Sequence, residues 1–145
     1  MCKHIKKEST IKLTDNFFSA NPIAKGQPVS EKEINNAEKK LGIKLDKDYI
    51  SFLRNYGGSV IKATEIYGFR NSELLDDTDI IEITTEYREE NSENNDWLVI
   101  GSDYAGNPVA ININGNIITY DHDSDEEILL ADTFEDYILI SLTEE

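Results

Sequence analysis

The sequence predicts an α+β fold: a mostly antiparallel twisted sheet, with two N-terminal helices and a C-terminal helix packed around it. Three observations predict it. A capped helix pair can be read from Ser30 to Gly58. Alternating apolar residues flank Asn114-Gly115. Apolar residues then recur at helical spacing from Phe134 to Leu142. At 145 residues the chain has the size of one domain, large enough to bury a core without disulfide or metal staples.

The helix pair comes first. Ser30 and Glu33 form the S-x-x-E capping box, in which each side chain satisfies a backbone N–H of the other residue. Ile34, Ala37 and Leu41 share one apolar face, and Gly42 follows where a left-handed C-cap is expected. Asp46 is placed to cap a second helix, in which Tyr49, Ile50, Phe52, Leu53 and Tyr56 are numerous enough to pack on two sides. Gly57-Gly58 ends it.

In the C-terminal half, Trp97 to Gly101 reads as a short buried strand, and Ser102 to Asn107 as a turn with Gly and Asn at φ > 0. Val109, Ile111 and Ile113 alternate with Ala110 and Asn112, which is strand period. Asn114-Gly115 signals a type I′ hairpin between strands at about 108–113 and 116–121, with Val109, Ile111 and Ile113 on one face. Ile128 to Ala131 is a further apolar run. Asp132 is placed to cap the last helix, carried by Phe134, Tyr137, Ile138 and Leu142.

The pattern E38-x-x-L41-G42-x-x-L45-x-x-D48-Y49-x-x-F52-L53-x-x-Y56-G57-G58 resembles the opening helices of the SUKH superfamily, in particular its Smi–Knr cell-wall-regulator type. Asp103 and Gly106 resemble that family's D-x-x-G turn, and Ala131, Phe134 and Ile138 its closing helix. The resemblance covers residues 30–142. Its motifs are mostly structural and argue fold better than function. It implies a non-enzymatic immunity protein, since many bacterial members look like proteins that bind and silence a cognate toxin.

The remaining segments carry weaker signals. Val60-Ile61 is read as entering the sheet, and Ile66 to Phe69 as a short strand or turn. Asp79 to Arg88 is read as a helix, because Ile80, Ile83 and Tyr87 fall at helical spacing, although its β-branched residues also suit a strand. Residues 89–96 read as a polar loop. Residues 1–29 form an N-terminal extension with little sustained periodicity. Its Phe17-Phe18 pair is expected to dock on the 30–145 domain, because an exposed Phe pair is an aggregation risk.

Composition narrows the function. No apolar h-region follows the charged start, and no apolar run reaches the ~20 residues of a membrane span. The single cysteine, Cys2, excludes an internal disulfide. A soluble cytoplasmic protein is the expectation. Net charge is −15, and from Glu89 to Glu145 there are fifteen Asp and Glu and no Lys or Arg. Residues 1–30 carry five Lys against Glu8 and Asp15, a net +3. Such a chain repels nucleic acid and steers basic proteins onto itself. Surface acids also serve solubility alone.

Candidate chemistry is sparse. Asp121-His122-Asp123, followed by Asp125, Glu126 and Glu127, has the donor types for a divalent metal or for acid–base work. The EF-hand pattern fails, because Glu126 and Asp132 stand where Gly and Glu belong. No nucleophile motif, phosphate loop or dinucleotide fingerprint occurs. No metal and no cofactor are therefore assigned.

The resulting expectation is an immunity protein that binds a basic toxin domain of the nuclease kind. The alternatives are a regulatory protein-binding scaffold of the cell-wall-regulator type and a metal-dependent enzyme centred on His122. The candidate contact residues are Asp103, Asp121, Asp123 and Asp125, where turns project together from a sheet. Asp79, Glu82 and Glu86 follow, on one face of the predicted helix.

Overall fold

The computed structural model describes residues 2–91 and 96–143. Among them the chain is α+β. Helix α1 spans Cys2–Ala20, and a 3-10 turn, Pro22–Ala24, leads to α2 (Glu31–Leu41) and α3 (Lys47–Tyr56). Strands β1 (Ser59–Ile61) and β2 (Thr64–Ile66) form a small antiparallel hairpin. Helix α4 (Ile80–Glu90) precedes the main sheet of β3 (Leu98–Ser102), β4 (Pro108–Ile111), β5 (Ile117–Asp121) and β6 (Glu126–Ala131). Its four strands are antiparallel in the order β3-β4-β5-β6, and α5 (Phe134–Thr143) follows. The predicted loop begins at Asn91, and its residues 92–95 lie outside the described residues.

The helix pair has the caps its sequence announces. Ser30 Oγ accepts from Glu33 N at 3.2 Å, and Glu33 Oε1 accepts from Ser30 N at 3.1 Å. Gly42 sits at φ 70°, where a side chain would be strained. Asp46 Oδ2 accepts from the amides of Asp48 and Tyr49, both at 3.1 Å. Arg88 reaches across from α4 to donate to Leu41 O at 2.7 Å, a cation at the C-terminal end of α2.

Helix α1 departs from the sequence reading, which left residues 1–29 without regular structure. Among its residues 8–20 the inward positions are Thr10, Thr14 and Phe18, four residues apart. Two of these three are polar, so the stripe is invisible to a hydrophobic pattern. Thr14 can be buried because its hydroxyl donates back to Thr10 O at 2.6 Å. Phe18 packs on Tyr56 and Phe52, with ring centroids 5.0 and 6.3 Å away. Burying a ring of this size contributes on the order of 2 kcal/mol. Tyr56 also donates to the Asp15 carboxylate, tying α1 to α3.

The main sheet separates two apolar clusters. Leu98, Ile100, Val109, Ile111, Ile117 and Ala131 join the larger one with the helices, including the Tyr49–Phe134–Phe52 contacts at 5.4 and 5.5 Å. Val99, Ala110 and Ile118 face the other way and are covered by Tyr87 of α4 and by Trp97. Trp97 stacks on Tyr87 at 5.8 Å and meets Tyr120 at 6.2 Å, so an aromatic row crosses that face. Both faces of β3 to β5 are thus lined, and β4 is buried at every residue.

Five further expectations are corrected. Val60-Ile61 pairs with β2 in the separate hairpin; that hairpin meets the main sheet through Tyr67 N, which donates to Ile100 O at 2.7 Å. Ile100 is the extra residue in a register shift between Val99 and Gly101, and Gly101 lets the backbone of Glu65 approach closely. Ile113 does not share a face with Val109 and Ile111: β4 ends at Ile111, and Ile113 is 76% exposed. The hairpin turn is not type I′, since of Asn114 and Gly115 only Gly115 has positive φ; likewise Gly106, not Asn107, takes positive φ in the preceding turn. Finally, Thr133 rather than Asp132 caps α5, its Oγ1 accepting from Asp136 N at 3.1 Å.

Candidate functional site

The antiparallel order puts the β3–β4 and β5–β6 turns at the same end of the sheet and the β4–β5 turn at the other. Asp103, Asp121, Asp123 and Asp125 therefore gather at one end. The two turns are joined directly: Asn107 Oδ1 accepts from His122 N at 3.3 Å.

Each turn is organised by its own first acid. Asp103 Oδ1 accepts from the amides of Ala105 and Asn107, both at 2.9 Å, while Gly106 N donates to Asp103 O at 3.0 Å. Gly106, at φ 84°, completes a tight three-residue hairpin loop. Asp121 Oδ1 accepts from Asp123 N at 2.9 Å and Ser124 N at 3.4 Å. The Asp123 amide above all, with help from Ser124, holds the Asp121 carboxyl below its ordinary value. Asp125 occupies the left-handed region at φ 57°, which Asp tolerates better than most residues. Asp123 and Asp125 are exposed.

The second predicted group lies on α4. Asp79 is not on the helix face but is its N-cap, accepting from Glu82 N at 3.0 Å. It therefore supports the helix rather than repelling Glu82 and Glu86. Glu82 and Glu86 are exposed. On the inner side Thr84 Oγ1 accepts from Val99 N at 3.0 Å, and Tyr87 stacks on Trp97. Those two contacts make α4 run opposite to β3, so Asp79 points towards the Ser102 end of the sheet, the end that carries Asp103. Arg88, the last cation in the sequence, is committed to Leu41 O.

His122 does not complete a donor set. Its ring packs edge-on to Tyr120 at 4.9 Å, and its acidic neighbour Asp121 is occupied by turn amides. Among the described residues no group of His, Cys, Asp and Glu is placed to hold a metal ion. No helix among the described residues is long and apolar enough to cross a membrane.

One residue escaped the sequence reading. Tyr104, at the tip of the β3–β4 turn between Asp103 and Gly106, is fully exposed. Its signal was available: the second position of a tight turn has no core to reach, so an aromatic residue there presents its ring to solvent. Tyrosine is enriched among the residues that dominate protein interfaces.

Residues 28–140 match the model of the SMI1 / KNR4 family (SUKH-1). No curated protein matches the chain. The matched span begins after α1 and takes in α2, α3, both sheets, α4 and most of α5. With that span covering most of its length, the chain belongs to the SMI1 / KNR4 family (SUKH-1).

Proposed function

We propose that this chain is a non-enzymatic immunity protein, which acts in the cytoplasm by binding a basic toxin domain of the nuclease kind and covering its active site. The observation that carries this reading is the gathering of Asp103, Asp121, Asp123 and Asp125 at one end of a rigid sheet, in a stretch without Lys or Arg from Glu89 onward. A surface of one sign attracts a partner of the other and speeds encounter. A nuclease site that holds phosphate is itself cationic, so an acidic plug competes for it. Tyr104 supplies an aromatic anchor beside the acids. Family membership supports a protein-binding role of the immunity or regulatory kind.

Neutralisation of a toxin domain, sought first among the products of genes adjacent to this chain's own, tests the reading. Charge-removal variants of Asp123 and Asp125, and separately of Glu82 and Glu86, are compared across a salt series. Where an acid meets a desolvated Lys or Arg, its truncation costs ~2–5 kcal/mol, mostly through faster dissociation; rim acids change mainly the association rate. His122→Ala leaves neutralisation intact. If both clusters can be neutralised without weakening binding at low salt, the acids serve solubility only. If the wild type fails to protect at all, the regulatory-scaffold reading replaces this one.

A further inference from the structure

The outer strand β6 is unlike the rest of the sheet. Glu126 to Leu130 are all exposed, and only Ala131 is buried. Ile128 is 41% and Leu129 57% exposed, although both belong to a strand with an apolar centre. Ile140 of α5, also exposed, adds to the patch; a shallow groove lined by Leu129, Leu130, Asp136, Leu139 and Ile140 runs between strand and helix. The opposite outer strand, β3, is met by Tyr67 and by α4. Among the described residues no strand pairs with the outer side of β6.

Proteins blunt such edges with Lys, with Pro, or with bulges that twist the strand away. β6 has neither Lys nor Pro, and its charged residues, Glu126 and Glu127, occupy only its first two positions. Its register shift falls between Leu129 and Ala131, so pairing to β5 is regular from Glu126 to Leu129. That leaves a row of outward main-chain groups flanked by Glu126 and Glu127 at one end and by Ile128 and Leu129 at the other, a geometry that accepts an added strand.

We propose that β6 is the docking edge for an extended segment of the toxin domain, apolar on alternate residues and bearing Lys or Arg, which joins the sheet as a further strand. This deepens the immunity reading and rests on it for the partner's identity. The charge of the segment follows from the acids at the edge: Glu126 and Glu127 on the strand itself, and Asp132 and Asp136 lining the groove beside it. The same charges argue against a second copy, since a two-fold interface sets like surfaces together and each chain carries −15.

The test uses a short capped peptide of alternating Lys and Val, fluorescently labelled, with the whole chain. Two counterparts accompany it, one with Glu for Lys and one N-methylated along a single edge. The Lys peptide binds and the Glu peptide does not. N-methylation and, separately, Leu129→Lys in the chain each weaken binding about tenfold or more, because main-chain bonds and apolar contact are lost. Leu129 is largely exposed, so the variant keeps the wild-type melting temperature. Hydrogen exchange of the wild-type complex gives an independent reading: the amides of Glu126 to Leu129 slow on binding. Undiminished binding of the N-methylated peptide, protection confined to other segments, or dimers that the peptide dissociates would overturn the proposal. Full toxin neutralisation by Leu129→Lys would sink the docking edge and leave the immunity reading standing. Failure of the wild type to neutralise would remove the toxin as occupant, whatever the peptide shows.

Discussion

The turns at the two ends of β4 are built alike from unlike residues. In Asn112–Asn116, Asn112 Oδ1 accepts from the amides of Asn114 and Asn116 at 3.0 and 3.1 Å, and Gly115 N donates to Asn112 O at 3.0 Å. In Asp103–Asn107, Asp103 makes the same three contacts with Ala105, Asn107 and Gly106, and its second oxygen also accepts from Asn107 Nδ2 at 3.3 Å. Gly115 and Gly106 sit at φ 82° and 84°. A neutral amide oxygen therefore does for one turn what a carboxylate does for the other. The charge of Asp103 is surplus to the hydrogen bonds that the two turns share. The Asn112 end lines a cleft with Lys44, Asp46 and Asp96, where the charges are mixed. At the Asp103 end acids accumulate instead, with Asp121, Asp123 and Asp125 beside it.

The strongest way to break the comparison is through the glycines. A Cβ on Gly106 would meet nothing within 4 Å, and one on Gly115 only Asp46 Oδ1 at 3.4 Å. Neither substitution creates a clash, so each Ala variant registers backbone strain alone, about 1–2 kcal/mol. Equal losses in denaturant unfolding are expected. A loss confined to one variant means the turns are not equivalent. Next in size are Asp103→Ala and Asn112→Ala. Each strips two amides of their acceptor in partly exposed turns, for about 1 kcal/mol or somewhat more. If Asp103→Ala costs markedly less than Asn112→Ala, local charge repulsion already offsets part of the turn's benefit.

The same turns explain what was and was not legible in the sequence. The α2–α3 pair was readable residue by residue, because capping boxes and left-handed glycines act within a few positions of their own signal. The β4–β5 turn was misread because two signals competed. Asn114-Gly115 suggested a two-residue turn with a strand running to Ile113. Asn112, two residues earlier, instead captured two amides and ended the strand, leaving Ile113 outside. Helix α1 was missed because Thr10 and Thr14 occupy its buried face while Ile11 and Leu13 are exposed. The strands of the β1–β2 hairpin are three residues long, and its turn places Lys62 at φ 56° without a glycine to mark it. For the candidate site, the acidic composition was plain in the sequence. That Asp79, Asp103 and Asp121 hold local amides required the strand register and the helix start.

Asp103→Asn sharpens the comparison without breaking the fold. It installs at one end of β4 the residue the other end already uses. The amide oxygen keeps both turn-amide bonds and only the 3.3 Å bond from Asn107 Nδ2 to the second oxygen is lost, so stability falls by about 0.5 kcal/mol. Binding to a basic partner is the readout that moves: a slower association at low salt, converging with the wild type as salt rises. A large loss of stability would show that the carboxylate matters to the turn itself, and the surplus-charge argument would fall.

The smallest effect separates the turns by pH. Hydrogen bonds from the Asp123 and Ser124 amides hold the folded Asp121 carboxyl below its ordinary value of 3.8. A depressed folded pKa contributes stability that is fully present above the unfolded value and is lost as pH falls through the folded one. The β5–β6 turn should therefore weaken from about pH 4 downward, while the Asn112 turn, which has nothing to titrate, should not. Amide exchange at Ser124 and at Asn116, followed by NMR from pH 6 to pH 3 and corrected for intrinsic rates, compares them within one molecule. Protection at Ser124 falls in acid while that at Asn116 holds. In Asp121→Asn the two amides should respond alike. Parallel loss at both amides in the wild type would trace the acid response to the fold as a whole rather than to the charged turn.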